Sequence, residues 1–175
     1  MKIVIAPDSF KGSLTAREAA QSIESGILRV LPEAECVSIP MADGGEGTVQ
    51  SLVDATGGRI MRVLVTDPLG HPTNAEYGIL GDGRTAVIEM AAASGIQYID
   101  ETTRNPLIAT TYGTGELIKD ALEQGVSDII VGLGGSATHD GRAGMAQPAG
   151  VRPPDDHGPP FPLGGACAAT LTAWD

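Results

Sequence analysis

Residues 2–39 leave little freedom in how the chain can begin to fold. Lys2-Ile3-Val4-Ile5-Ala6 is a compact apolar run closed by Pro7, the pattern of a buried parallel strand. After the loop Pro7 to Ser13, Thr15 with Glu18 three residues on forms a capping box, and Leu14 with Ala19 could staple it, so a helix is predicted from about Ala16. Ala19, Ala20, Ile23, Ile27 and Val30 supply its apolar face, and Pro32 stops it. Glu35-Cys36-Val37-Ser38-Ile39 is the next strand. A strand, a helix and a second strand in this order form a βαβ unit, with a right-handed crossover and the two strands side by side.

That topology brings chemistry together. Parallel strands end on one edge, so the loop after the first strand and the loop Met41 to Thr48 after the second open into the same crevice, where α/β proteins bind ligands. Asp8, Lys11, Asp43 and Glu46 therefore converge. One ammonium and three carboxylates in a glycine-rich crevice suit a magnesium ion and a negatively charged substrate. Asp8 and Asp43 also stand where aspartates cap turns and helices, and each alone reads as well that way.

A short helix through Val49, Leu52 and Val53 closes at Gly57-Gly58, and then the pattern changes. Arg59 to Val65, Ala75 to Leu80 and Thr85 to Met90 are strand-like, separated by the turn signals Thr66-Asp67-Pro68-Leu69-Gly70 and Gly81-Asp82-Gly83. This spacing predicts antiparallel hairpins and a domain boundary near residues 60 to 70. Glu89, inside an apolar strand, is either a satisfied buried carboxylate or a pocket residue. Ala91 to Gly95 is a helical turn or a loop. Thr110 to Gly115 leads into a helix with Thr114 as its cap, Leu117, Ile118, Ala121 and Leu122 as its buried stripe, and Gly125 as its end.

Asp128-Ile129-Ile130-Val131 is a short buried strand, and Gly132-Leu133-Gly134-Gly135-Ser136-Ala137-Thr138-His139-Asp140-Gly141 follows it. Glycines at a strand end allow close backbone approach, so successive N–H groups can form an anion-binding nest beside the hydroxyls of Ser136 and Thr138. A structural turn accounts for such a stretch equally well. Asp140 would stand beside the anion, where a carboxylate serves to hold a metal or take a proton. From Pro148 the composition shifts: six of the 12 prolines lie between Pro148 and Pro162, which predicts a poorly packed tail.

Charge and composition narrow the partners. With 11 Lys and Arg against 22 Asp and Glu the net charge is -11, which disfavours nucleic acid and anionic membranes. No apolar run approaches the ~20 residues of a membrane-spanning helix. Cys36 and Cys167 have no metal-ligand spacing, and His71, His139 and His157 are scattered, so the chain reads as a cytoplasmic protein without a zinc site. Nothing in the sequence indicates an oligomeric state.

Known phosphate loops can be tested against the glycine stretch. No lysine follows the glycines, which excludes a Walker A loop. Gly132, Gly134 and Ala137 fit the dinucleotide pattern G-x-G-x-x-A, with Asp155 and Asp156 at about the spacing of the ribose-binding acid, but these acids lie in the proline-rich run and not at the end of a strand. Gly-Leu-Gly-Gly-Ser-Ala is similar to the nucleotide loop of the galactokinase and homoserine kinase superfamily, which implies a small-molecule kinase.

Ala6 to Ser13, Met41 to Thr48 and Gly132 to Thr138, taken together and in this order, closely resemble the bacterial type-1 glycerate kinase family; Tyr112-Gly113-Thr114-Gly115-Glu116-Leu117 is similar to it as well. The resemblance covers roughly Met1 to Met145. It implies ATP-dependent, magnesium-assisted phosphorylation of D-glycerate to 2- or 3-phosphoglycerate. It implies an α/β fold in which a flavodoxin-like parallel-sheet domain is interrupted by a second α/β domain with antiparallel hairpins, the active site lying between them. On that basis residues 1–65 belong to the first domain, 66–147 to the inserted one and 148–175 to the tail. Family members continue well beyond Asp175, so both domains are expected to be incomplete here, and a two-stranded open sheet would leave apolar surface uncovered. The family's loop typically ends Thr-Asn-Asp-Gly-Gly, whereas this chain has His139 for Asn and Arg142 for the last Gly.

On this working hypothesis the residues take the following roles. Lys11 meets phosphate charge. Asp43 and Glu46 hold magnesium or the glycerate hydroxyls, with Ser9, Gly44 and Gly45 around the substrate. Asp8 or Asp140 orients or deprotonates the attacking hydroxyl, and Gly134, Gly135, Ser136 and Thr138 cradle the ATP phosphates. Two rival readings stand beside this one: a non-catalytic remnant with weak anion or nucleotide binding, and part of an NAD-binding oxidoreductase.

Overall fold

The structure, a computed structural model, describes residues 1–10, 12–151 and 164–165. Lys11 and most of the proline-rich tail lie outside the described residues. Elements run β1 (Lys2–Ile5), α1 (Ala16–Val30), β2 (Glu35–Ser38), α2 (Thr48–Thr56), β3 (Arg59–Thr66), β4 (Pro72–Ile79), β5 (Thr85–Glu89), α3 (Ala91–Ser94), α4 (Tyr112–Glu123), β6 (Asp128–Gly132) and α5 (Ala143–Ala146). The α/β class read from the sequence holds.

β1 and β2 pair in parallel, with Lys2 opposite Glu35 and Ile5 opposite Ser38. The capping box is formed: the Glu18 amide donates to Thr15 Oγ1 at 3.2 Å, and the Thr15 amide donates to Glu18 Oε2 at 2.9 Å. Such a cap contributes about 1 kcal/mol. The helix face expected to be buried is covered only in part. Ala16, Ala19 and Ala20 are buried, whereas Ile23 and Val30 are exposed, as are Val4 and Ile39 of the strand pair.

The second sheet has the order β3-β4-β5-β6. β3 and β4 form the predicted hairpin, and β4 pairs antiparallel with β5. The β3–β4 turn is held by Asp67, whose Oδ1 accepts from the amides of Leu69 and His71 at 2.8 and 2.9 Å, while Gly70 takes φ +92. β6 joins β5 in parallel, a pairing that the hairpin spacing did not foretell. Val65, Ala75, Tyr77, Ile79, Ala86, Ile88, Leu117 and Ala121 form the main core between this sheet and α4. Within it, fully buried Tyr77 donates its hydroxyl to Asp120 Oδ2 at 2.7 Å, tying β4 to α4.

Two placements differ from expectation. Helix α2 packs Val49 and Val53 against Val87 of β5, so it sides with the four-stranded sheet and not with the β1–β2 pair. Gly78 makes room for it, since a Cβ there would run into Val53. Helix α4 starts three residues early, with Thr111 at its N-cap position. Thr114 is not the cap; its hydroxyl is buried and lies 2.8 Å from Ser94 Oγ, which locks α3 to α4. In the tail, Gly164 and Gly165 are buried, and the Gly165 amide donates to the Pro106 carbonyl at 3.1 Å.

Candidate active site

The C-terminal ends of β1 and β2 run on side by side, as their parallel pairing requires. The Ile39 amide donates to the Ile5 carbonyl at 2.8 Å and the Met41 amide to the Pro7 carbonyl at 2.9 Å. Asp8 and Asp43 therefore sit on adjacent loops at one sheet edge, both exposed. Asp8 Oδ1 accepts from the Ser9 amide at 2.6 Å, and Asp43 Oδ1 from the Gly45 amide at 2.9 Å. Each thus makes the local turn contact open to any aspartate in such a place, and each keeps one carboxylate oxygen without a partner among the described residues.

The second loop then lies directly on the glycine stretch after β6. The Gly134 amide donates to the Gly44 carbonyl at 3.2 Å. A Cβ on Gly134 would stand 2.7 Å from the Gly45 Cα, and one on Gly132 would collide with the Gly44 carbonyl oxygen. The glycines are needed because two backbones touch there. Gly134 therefore serves this contact, its amide being already used. Among the described residues nothing accepts from the Gly135 and Ser136 amides, while Ser136 Oγ and Thr138 Oγ1 lie 3.0 Å apart. The far side of the stretch pairs with the segment after α3: the Ile96 amide donates to the Gly135 carbonyl and the Ala137 amide to the Ser94 carbonyl, both at 2.9 Å. An open cavity of about 220 Å³, lined by Ile96, Ile99, Asp100, Glu101 and Arg104, starts at that pairing.

Asp140 does not face this crevice with a free carboxylate. It is 1% exposed; Oδ2 accepts from the Thr111 amide at 2.8 Å, the Thr111 hydroxyl at 2.8 Å and the Gly144 amide at 3.2 Å, and Oδ1 accepts from the Arg142 amide at 3.0 Å. Four donors thus converge on a carboxylate that is itself almost fully buried. In this arrangement Asp140 clamps the start of α4 to the start of α5. Gly144 permits this, since a Cβ there would lie 2.6 Å from Asp140 Oδ2. The neighbouring Arg142 takes φ +67, alone among the described non-glycine residues in having a positive value. The family's glycine at this place thus has a backbone reason.

Glu89, left open by the sequence, caps α2 from another element. Gly47 at the N-cap of that helix has no side chain to offer, and Glu89 Oε1 accepts from the Val49 amide at 2.8 Å. Burial holds its carboxyl above the usual range, against the lowering effect of the Val49, Gly47 and Thr48 amides. An acid closing an apolar strand was the available signal. Its partner was not legible, because it lies 40 residues away in sequence.

Among the described residues no three His, Cys, Asp or Glu side chains gather into a metal cage. Exposed Asp43 and Glu46 fit instead the habit of magnesium, which is held by one or two carboxylates together with waters and phosphate oxygens. The glycine stretch does not fit the dinucleotide template: α5, its next helix, starts only at Ala143, well past the glycines, and Asp155 and Asp156 lie outside the described residues. No helix among the described residues is long and apolar enough to cross a membrane.

The comparisons with known proteins bear on the fold and the family. The chain is 58% identical over 175 residues to a glycerate kinase of Bacillus subtilis (strain 168), covering 100% of this chain and 46% of the relative. It is 53% identical over 175 residues to the glycerate 2-kinase of Escherichia coli (strain K12), again covering 46% of it. A crystal structure of a Salmonella typhimurium LT2 protein described as glycerate kinase 2 superposes with a TM-score of 0.86 at 54% identity, over 100% of this chain and 47% of that one. The chain thus spans about half the length of the relatives it matches. The profile of the glycerate kinase family matches residues 3–175, and the chain belongs to that family.

Proposed function

We propose that this chain carries the substrate and phosphate loops of an ATP-dependent D-glycerate kinase and takes part in phosphoryl transfer to a glycerate hydroxyl. The observation that carries the reading is the contact of Gly44 and Gly45 with Gly132 and Gly134. It sets a loop bearing two exposed carboxylates beside a loop whose Gly135 and Ser136 amides have no acceptor among the described residues and whose Ser136 and Thr138 hydroxyls pair with each other. Phosphoryl transfer asks chiefly for positioning and charge neutralisation, and these are the groups such a reaction uses.

In this reading Gly135, Ser136 and Thr138 donate to ATP phosphates, with Gly134 holding the loop in place. Lys11 supplies positive charge to the phosphates. Asp43 and Glu46 would hold magnesium, whose chemistry is to neutralise charge on the transferred group. Ser9, Gly44 and Gly45 line the glycerate side, and Asp8 is the carboxylate placed to orient or deprotonate the attacking hydroxyl. Asp140 stays outside the chemistry. The work takes place in the cytoplasm.

A coupled ADP-release assay on the purified 175-residue chain, with and without D-glycerate, tests the proposal. Glycerate-dependent ADP release supports it. Nucleotide binding without turnover would move the chain to the binding-only reading, and NAD binding without ATP binding would refute the kinase reading.

A further inference from the structure

Glu89 links three parts of the fold. Its backbone is in β5, directly opposite Gly132 of β6. Its side chain reaches the Val49 amide at the start of α2, immediately after the loop carrying Asp43 and Glu46. That loop in turn lies on Gly132 and Gly134 through Gly44 and Gly45. The three contacts close a ring: Glu89 main chain to Gly132, Gly132 to Gly44, and Gly47 to Val49 back to the Glu89 carboxylate. Inside the ring the Thr48 amide and hydroxyl both donate to the Gly45 carbonyl, at 3.2 and 2.7 Å. Thr48 thus finishes the turn from within, and the loop meets β6 only through the main chain of Gly44 and Gly45, with no side chain of its own reaching the sheet among the described residues.

We propose that Glu89 is the positioning residue that fixes the Asp43–Gly47 loop against the glycine stretch after β6, and so sets where Asp43 and Glu46 stand relative to bound phosphate. Thr48 finds a local acceptor in the Gly45 carbonyl, but glycine at the N-cap offers the Val49 amide no side chain, and Glu89 supplies the acceptor from the strand beneath. Tying the helix start to the sheet places a half-buried acid at the end of an apolar strand. What the positioned loop does rests on the kinase reading; the anchoring itself does not.

The test is amide hydrogen exchange on the intact chain for wild type, Glu89→Ala and Glu89→Gln. In Glu89→Ala, exchange at residues 44–49 and 132–135 should rise about tenfold or more while the α1 and α4 amides keep their wild-type rates, as local opening requires. Glu89→Gln retains an acceptor oxygen and should restore wild-type protection. A rise spread evenly over α1 and α4, or unchanged rates at residues 47–49, would overturn the proposal, and so would a Gln variant as open as the Ala variant. A calorimetric titration with magnesium-ADP adds the functional side. Binding should fall about fivefold or more in Glu89→Ala and stay within about threefold in Glu89→Gln. No binding by wild type would count against the kinase reading alone, and the exchange pattern would still decide the role of Glu89.

Discussion

Gly44 and Gly134 meet backbone to backbone, the amide of one donating to the carbonyl of the other at 3.2 Å, although they follow strands of different sheets. Side chains are excluded from this meeting point. The main chains do the joining, so no side chain of either loop is spent on the contact itself.

Gly134→Ala should therefore separate the loops. The new methyl would lie 2.7 Å from the Gly45 Cα, and backbone cannot yield as a flexible side chain can. A loss of about 1–3 kcal/mol is expected, as for overpacking elsewhere. Urea denaturation followed by circular dichroism measures it; an unchanged midpoint would show that the contact is not tight.

Asp140→Ala should be among the most damaging single changes in the described residues. It strands the Thr111 amide and hydroxyl together with the Gly144 and Arg142 amides. Each buried orphan costs about 1–3 kcal/mol, so thermal melting should fall steeply. Were Asp140 instead a free base, Asp140→Ala would abolish turnover with little change in melting temperature.

Arg142→Gly is expected to stabilise. At φ +67 an arginine bears left-handed strain that glycine does not, and the gain, reduced by glycine's greater freedom in the unfolded chain, should be about 0.5–1 kcal/mol. Differential scanning calorimetry would register it as a higher melting temperature. A lower one would mean that the arginine side chain makes a compensating contact.

Glu89→Gln should change stability in a pH-dependent way. The folded state holds the Glu89 carboxyl above its ordinary range, mainly through burial and with Glu46 adding to it. Folding therefore favours the protonated form. Its contribution is complete below the unfolded pKa and is lost as pH rises through the folded value. The melting temperature of Glu89→Gln relative to wild type should accordingly climb as pH rises above the ordinary carboxylate range. A difference that stays flat or falls over this rise would contradict the burial of the charge.

The sequence was most legible where a signal is local. The Thr15–Glu18 box, the stop at Pro32, the parallel neighbours β1 and β2 and the Asp67–Gly70 turn all follow from residues close in the chain. The convergence of the Asp8 and Asp43 loops was legible too, because parallel strands share an edge. The partners of Glu89 and Asp140 were not. Each carboxylate caps a helix distant in sequence, and such a cap leaves no spacing pattern to read. Thr114 misled for a related reason: a threonine inside the first turn looks like a cap until its burial against Ser94 is known.

Among the described residues the β1–β2 pair gains no further strand on either edge, and no strand or helix of its βαβ unit packs broadly on the four-stranded sheet. Two bodies that share so little interior have small reason to melt together, so heating should loosen the first before the second. A molecule gripping both glycine loops would act as a rivet across the seam. It would reveal itself by moving the early transition up toward the late one, a signature that reports binding even in the absence of turnover.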